Sequence, residues 1–429
     1  MGKLIMIMID GISADHFELY RRHLPNLDRL AHTGTQLAAL RPEMCGTSCP
    51  GRTSMIAGVS PAEHGIYGNH IWREDGFRWA SPYDVKVDTL PALACQQGLD
   101  VANLGYGMVR PEDCRLYVGP WWADEMLMRG KDATPEPADE GWLRAADTHD
   151  PEGRLAALSA EAVVAPNHSE AHKLQLGMLA DQQLLDLAAG LATSEQAPDL
   201  ILLEIAITDY FLHKYGADHD LTRWSLRTAD AQIGTLLTRL EQAGVLQQYN
   251  FAICSDHGHA SMPKGLYVDR LLGDEVVWSS EGGVLLVHPK NEAEAKRVTD
   301  ALIGEGIEPC LTDFMPAALR DQLLAFVVPE GSEISFEAAV PGTEGLYGPS
   351  KYVSNHGMRP GTEADHRFCI FSGPDIPQQT LGVADCIRFA PTLADILGIE
   401  TPWSARSLLS VAADLSADSS AITANPDFQ

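Results

Sequence analysis

Leu4-Ile5-Met6-Ile7-Met8-Ile9-Asp10-Gly11 is a run of six apolar residues closed by a carboxylate and a glycine. A strand with one wet face alternates, so an unbroken run of this length points to a strand covered on both faces, as in a mostly parallel sheet. Leu200-Ile201-Leu202-Leu203 and Phe251-Ala252-Ile253-Cys254 repeat the scheme, and each is followed by polar or metal-capable residues. Between the latter two, Leu226, Ala229, Ile233, Leu236 and Leu240 step by threes and fours, which predicts one apolar helix face ending at Gly244. Strands alternating with helices predict an α/β fold with a mostly parallel central sheet flanked by helices. In such sheets ligands bind beyond the carboxyl ends of the strands, so the residues just after these runs are where a site is sought.

Composition narrows the classes. The 429 residues are 45% hydrophobic and 21% charged, which excludes collagen-like and wholly disordered chains. A net charge of −28 repels polyanions, so duplex nucleic acid is not an expected partner. The eight cysteines are dispersed with no CxxC pair and read as reduced core residues. The opening apolar run is too short for a signal h-region or a membrane span, and a cytoplasmic location with no membrane partner is expected.

Residues 1–261 and 351–410 form the expected core. Within it, 109–175 is rich in Asp, Glu, Pro and Trp and reads as an acidic insert, including Thr134-Pro135-Glu136-Pro137. Residues 262–350 carry Gly283-Val284-Leu285-Leu286-Val287, a helix-like Asn291 to Gly304 and a strand-like Leu324 to Val328, enough for a small α/β cap. The acidic tail 411–429 is expected to fray.

Five short segments hold the chemistry-bearing residues. Asp10 ends the first strand. Thr47-Ser48-Cys49-Pro50-Gly51-Arg52 precedes a helix-like run to Gly58, with His64-Gly65-Ile66 and Gly68-Asn69 beyond it. Asp209 and His213 are four apart, hence on one side of a helical turn. Ser255-Asp256-His257-Gly258 closes a strand, and Asn355-His356-Gly357 completes the set. Singly, each has an ordinary structural reading as an ion pair, a turn residue or a solvated face.

In this order, together with Pro25-Asn26-Leu27 and Ala390-Pro391-Thr392-Leu393-Ala394-Asp395, the motifs resemble the alkaline phosphatase superfamily. Within it the chain is most similar to the nucleotide pyrophosphatase/phosphodiesterase branch and to its relative phosphonoacetate hydrolase. The resemblance implies an alkaline phosphatase-like core and two Zn2+ ions, with Mn2+ as the alternative occupant. One metal is implied on Asp209, His213 and His356, the other on Asp10, Asp256 and His257. Ser48 is implied as the nucleophile on the second metal and Asn69 as a contact to a phosphoryl oxygen, with the N–H groups around Cys49 and Asn69 as further donors.

The activity implied is hydrolysis of small phosphodiesters or nucleotide pyrophosphates through a phosphoserine. Phosphonate hydrolysis of the phosphonoacetate type, phosphomonoester hydrolysis and a metal-dependent binding protein on the same scaffold are the alternatives. Ser48-Cys49-Pro50-Gly51-Arg52 also resembles the sulfatase signature, in which the first residue becomes formylglycine, although the Asp10-Gly11 pair and the second metal set depart from it. Arg52 has two readings, contact with a substrate anion or pairing with local carboxylates. Cys45 and Cys49 read as packing residues, and His219 and His259 as solvated or supporting residues. Trp72, Trp121 and Trp122 read as a surface that stacks a nucleobase or lines a pocket, or as ordinary loop packing.

Overall fold

The computed structural model describes residues 2–123, 148–158 and 170–410; the Thr134–Pro137 stretch and the 411–429 tail lie outside them. Among the described residues, a nine-stranded sheet runs in the order Gln379–Asp385, Thr35–Arg41, Cys369–Ser372, Tyr249–Cys254, Lys3–Ile9, Leu200–Ile205, Val101–Leu104, Leu116–Val118, Thr148–His149. All run the same way except Cys369–Ser372 and Thr148–His149.

The opening strand lies at the centre, with Met6 in register with Leu202 on one side and Ala252 on the other. Its six apolar residues are all fully buried because both faces are covered. Ile5, Ile7 and Ile9 pack with Leu226, Ile233, Leu236 and Leu240 of the helix Asp220–Gln242. Leu4, Met6 and Met8 pack on the opposite face with Met55, Ile56, Phe389 and Leu393. Each such side chain contributes roughly 1.5–3 kcal/mol of burial, an upper figure because unfolded chains already hide some surface.

The stretch expected as an insert does more than decorate. Leu116–Val118 extends the central sheet in parallel and Thr148–His149 pairs with it antiparallel. Three-residue and two-residue strands leave too little alternation to be read from sequence.

Residues 262–350 supply a four-stranded sheet, Val277–Ser280, Val284–His288, Leu324–Val327 and Glu308–Cys310, with the helix Glu292–Gly304. Asn291 caps that helix by accepting from Glu294 N–H. Leu285 and Val287 face this helix, packing with Val298 and Leu302. Val284 and Leu286 face the other way, against Cys45, Cys49, Ile66 and Tyr67. The small sheet is therefore seated by an apolar face on the loops that carry Ser48 and Asn69.

All eight cysteines lie among the described residues and are unpaired thiols. No described helix is long and apolar enough to cross a membrane.

Candidate active site

Three neighbouring strands deliver their residues to one rim. Asp10 follows Lys3–Ile9, Asp256 and His257 follow Tyr249–Cys254, and Asp209 and His213 lie on the helix Ile207–Tyr215 that starts just after Leu200–Ile205. Ser354–Asn355 pairs antiparallel with Ala260–Ser261, which sets His356 beside the segment leaving His257. Ser48 opens the helix Ser48–Ala57, which Gly58 ends at φ 62°, a left-handed conformation that suits glycine.

The six expected ligands come together. Asp10, Asp256 and His257 place one donor atom each within 4.8 Å of one another, as do Asp209, His257 and His356, and also Asp209, His213 and His259. His213 and His356 have ring centroids 5.1 Å apart. Hydrogen bonds fix which imidazole nitrogen is free. His213 Nδ1–H donates to the Ser354 carbonyl (2.9 Å) and His257 Nδ1–H to the Gly258 carbonyl (3.1 Å). Their Nε2 lone pairs therefore face carboxylates, His213 at 3.4 Å from Asp209 Oδ2 and His257 at 3.4 Å from both Asp10 Oδ1 and Asp256 Oδ2.

Burial holds His213 and His356 below the usual histidine range, so both stay neutral with lone pairs available at neutral pH. Asp10 Oδ1 and His356 Nδ1 are buried with no hydrogen-bond partner, and such orphans are costly unless a cation takes them. Imidazoles and carboxylates suit Zn2+, and the carbonyl partners of His213 and His257 are the support that metal-binding histidines have. The donor set fits a pair of dications.

His259 is not solvated. Its side chain is 2% exposed, burial pushes it down to about 3, and Nε2–H donates to Asp209 Oδ1 at 2.7 Å. The signal was its place two residues after His257, which a strand break turns toward the same rim. His219 is exposed and accepts from Leu221 N–H at the start of a helix.

Arg52 answers its two readings. The side chain is 1% exposed, with Nη1 on Asp256 Oδ2 (2.6 Å), Nη2 on Asp10 Oδ2 and Glu204 Oε1, and Nε on Glu204 Oε2 (3.1 Å). The structure shows the carboxylate pairing, with every guanidinium nitrogen engaged, and Arg52 also lines the cavity beside Ser48. Glu204 was missed, since inside the apolar run Leu200–Ile205 a lone acid carries no pattern. It also accepts from Gly107 N–H (3.0 Å) and Trp122 Nε1–H (2.7 Å). The Trp122 ring lies 4.8 Å from the Arg52 guanidinium carbon. Trp121 donates to Asp181 Oδ1 and Trp72 stacks on His288, so these two are packed, whereas Trp122 lines the cavity beside Ser48.

Ser48 Oγ is 3.2 Å from His257 Nε2, beside the Asp10, Asp256 and His257 cluster. The backbone donors expected here are occupied: Cys49 N–H donates to Asn69 Oδ1 (2.7 Å) and Asn69 N–H to Glu281 Oε2 (2.6 Å). Because Asn69 Oδ1 accepts, its amide Nδ2 is the group left for the cavity that Asn69 lines. That cavity measures about 740 Å³ and also exposes Trp79, Tyr210, Trp278 and Tyr352. Burial pushes the Cys45 and Cys49 thiols up, away from reactive thiolates.

His64 is fully buried, faces Ser54 Oγ at 3.0 Å and accepts from Ile66 N–H at Nδ1. Burial lowers it to about 3, so the unfolded chain binds the extra proton between about pH 6.5 and 3 and stability falls as pH falls through that window. From pH 6.5 to pH 4 this amounts to about 3 kcal/mol. Urea midpoints at both pH values should show His64→Gln losing less on acidification than the wild type; equal losses would remove His64 from the account.

The family model of type I phosphodiesterases / nucleotide pyrophosphatases matches residues 4–323. Venom phosphodiesterase 2 of Crotalus adamanteus is 22% identical over 255 residues, 59% of this chain and 26% of that protein. Ectonucleotide pyrophosphatase/phosphodiesterase family member 1 of Homo sapiens is 20% identical over 274 residues, 63% of this chain and 25% of that protein. The chain thus spans about a quarter of the length of these relatives. The structure of murine ectonucleotide pyrophosphatase/phosphodiesterase 5, an inactive variant in complex with AMP, superposes with a TM-score of 0.69 at 16% identity, covering 94% of this chain and 97% of that one. This likeness shows the fold, an alkaline phosphatase-like α/β architecture around a mostly parallel sheet. On the match across residues 4–323, the chain belongs to the type I phosphodiesterase / nucleotide pyrophosphatase family, within the alkaline phosphatase superfamily.

Proposed function

We propose that this protein hydrolyses small phosphodiesters or nucleotide pyrophosphates through a covalent phosphoserine on Ser48. The observation that carries the reading is Ser48 Oγ beside the donor set Asp10/Asp256/His257, which shares His257 with the set Asp209/His257/His356, while Asp209 also groups with His213 and His259; Asp209 and His257 approach to 4.0 Å. A pair of Zn2+ ions, or Mn2+, bound there supplies a lowered hydroxyl pKa and charge stabilisation for the departing oxygen. Ser48 Oγ attacks phosphorus, the P–O bond to the leaving group breaks, and water then cleaves the Ser48 ester in a second displacement. Asn69 Nδ2 donates to a phosphoryl oxygen, and the N-terminus of the helix Ser48–Ala57 adds its dipole.

A cavity of about 740 Å³ is within the usual range for a small-molecule ligand and would take a nucleotide such as the AMP of the murine relative. The unpaired thiols support a cytoplasmic location. A kinetic panel of a bis-aryl phosphate, an aryl phosphate, an aryl sulfate and phosphonoacetate tests the reading. The diester should be favoured; a strong preference for the sulfate or for phosphonoacetate overturns it.

A further inference from the structure

Glu281 stands just before the strand Val284–His288 of the small sheet, with a side chain of 0% exposure. Its carboxylate is met by donors from the Ser48 and Asn69 loops rather than by its own sheet. Oε2 accepts from Asn69 N–H (2.6 Å) and Thr47 Oγ1–H (3.2 Å), and Oε1 from His70 N–H (3.0 Å). A buried carboxylate costs several kcal/mol unless it is satisfied in this way, so it marks a specific contact and not a general filler.

The next residues clasp the other side of the site. Gly283 N–H donates to the His356 carbonyl and Gly357 N–H to the Gly46 carbonyl, both at 3.0 Å. A Cβ on Gly282 would meet the His356 carbonyl oxygen at 2.4 Å, and one on Gly357 would meet the Glu281 carbonyl oxygen at 2.1 Å. Only glycines allow the two segments to approach this closely.

These contacts form a chain from the small sheet to the phosphoryl site. Glu281 fixes the backbone of Asn69, and Asn69 Oδ1 is fixed in turn by Cys49 N–H, next to Ser48. With both constraints in place, the amide has one orientation and Nδ2 one direction. We propose that Glu281 is a positioning residue: by holding Asn69 and Thr47, it aims the Asn69 amide at the phosphoryl oxygen while Ser48 attacks, and so ties the seating of residues 262–350 to turnover. The inference rests on the phosphoryl-transfer reading above.

The test is a double-mutant cycle on the metal-loaded protein with a bis-aryl phosphate. Glu281→Gln should lower kcat by about a hundredfold, the order expected for a lost oxyanion donor, with KM within about threefold and metal content unchanged. Asn69→Ala combined with Glu281→Gln should be no slower than Asn69→Ala alone, because Glu281 acts through Asn69. A loss of fold integrity alone would instead multiply the two effects. Glu281→Asp keeps the charge, shortens the reach by one methylene and runs in parallel; it should show a smaller loss with the same non-additivity. The proposal is overturned if Glu281→Gln or Glu281→Asp turns over within about threefold of the wild type, or if the double variant shows the product of the single losses. A wild type that cleaves none of the esters sinks the phosphoryl-transfer reading instead, so the two failures are distinct.

Discussion

Ser48→Ala is expected to lower turnover of a bis-aryl phosphate by about 10³-fold or more while leaving metal content unchanged. The two halves of that result have separate causes. Turnover goes because the covalent step has no oxygen to form the phosphoester. Metal stays because the carboxylates and imidazoles of the donor clusters come from other strands and loops. The helix should survive as well, since Thr47 makes no side-chain cap and alanine at the first helical position is well tolerated. Rapid quench of the wild type, followed by mass analysis of the Ser48 peptide, should find a phosphoryl adduct that the variant lacks. A resting peptide two hydrogens lighter would mean formylglycine and a sulfatase-like chemistry. Undiminished turnover in Ser48→Ala would leave a binding protein or a direct attack by water, and the phosphoserine would be wrong.

What could be read from the sequence divides along physical lines. Strands buried on both faces, such as Lys3–Ile9, advertise themselves by unbroken apolar runs, and their carboxyl ends locate the rim where Asp10, Asp256 and His257 meet. The Asp209 to His213 spacing is equally legible because helical neighbours four apart share a side. Groups acting through a long-range partner were not legible. Glu204 interrupts an apolar strand without any periodic trace, and its partners Arg52, Gly107 and Trp122, all distant in sequence, explain it. Glu281 lies in a segment distant from Thr47 and Asn69 in sequence, and its contact is created by how the small sheet seats. Backbone donors had the same weakness: the N–H groups of Cys49 and Asn69 looked free in sequence and are taken in the fold.

Arg52→Met should be the most destabilising single change at the site, and the size of its effect should depend on metal. In the wild type one guanidinium sits among Asp10, Glu204 and Asp256, which leaves an excess of negative charge that a dication held by Asp10 and Asp256 would offset. Methionine keeps the length and the contact with Trp122 but removes the cation, so three buried carboxylates lose their common partner. Removing one member of a buried ion network typically costs about 3–5 kcal/mol. In chelator, where nothing else offsets the charge, the full cost should appear in the urea midpoint. With Zn2+ present the loss should shrink, since the ion binds a more negative set and binding to the native state alone adds stability.

The pH dependence of the chelated variant follows from Asp10. Burial raises its carboxyl well above the usual range, and Arg52 opposes that rise. Without Arg52 the raised value climbs further, the native state holds a proton that the unfolded chain releases, and stability falls as pH rises from the ordinary carboxylate range toward the raised folded value. Arg52→Lys should recover only part of the loss, because a single ammonium cannot reach three carboxylates at once. A loss near zero in chelator would show that Arg52 acts as packing under Trp122, which methionine keeps, and the charge account of the site would fail.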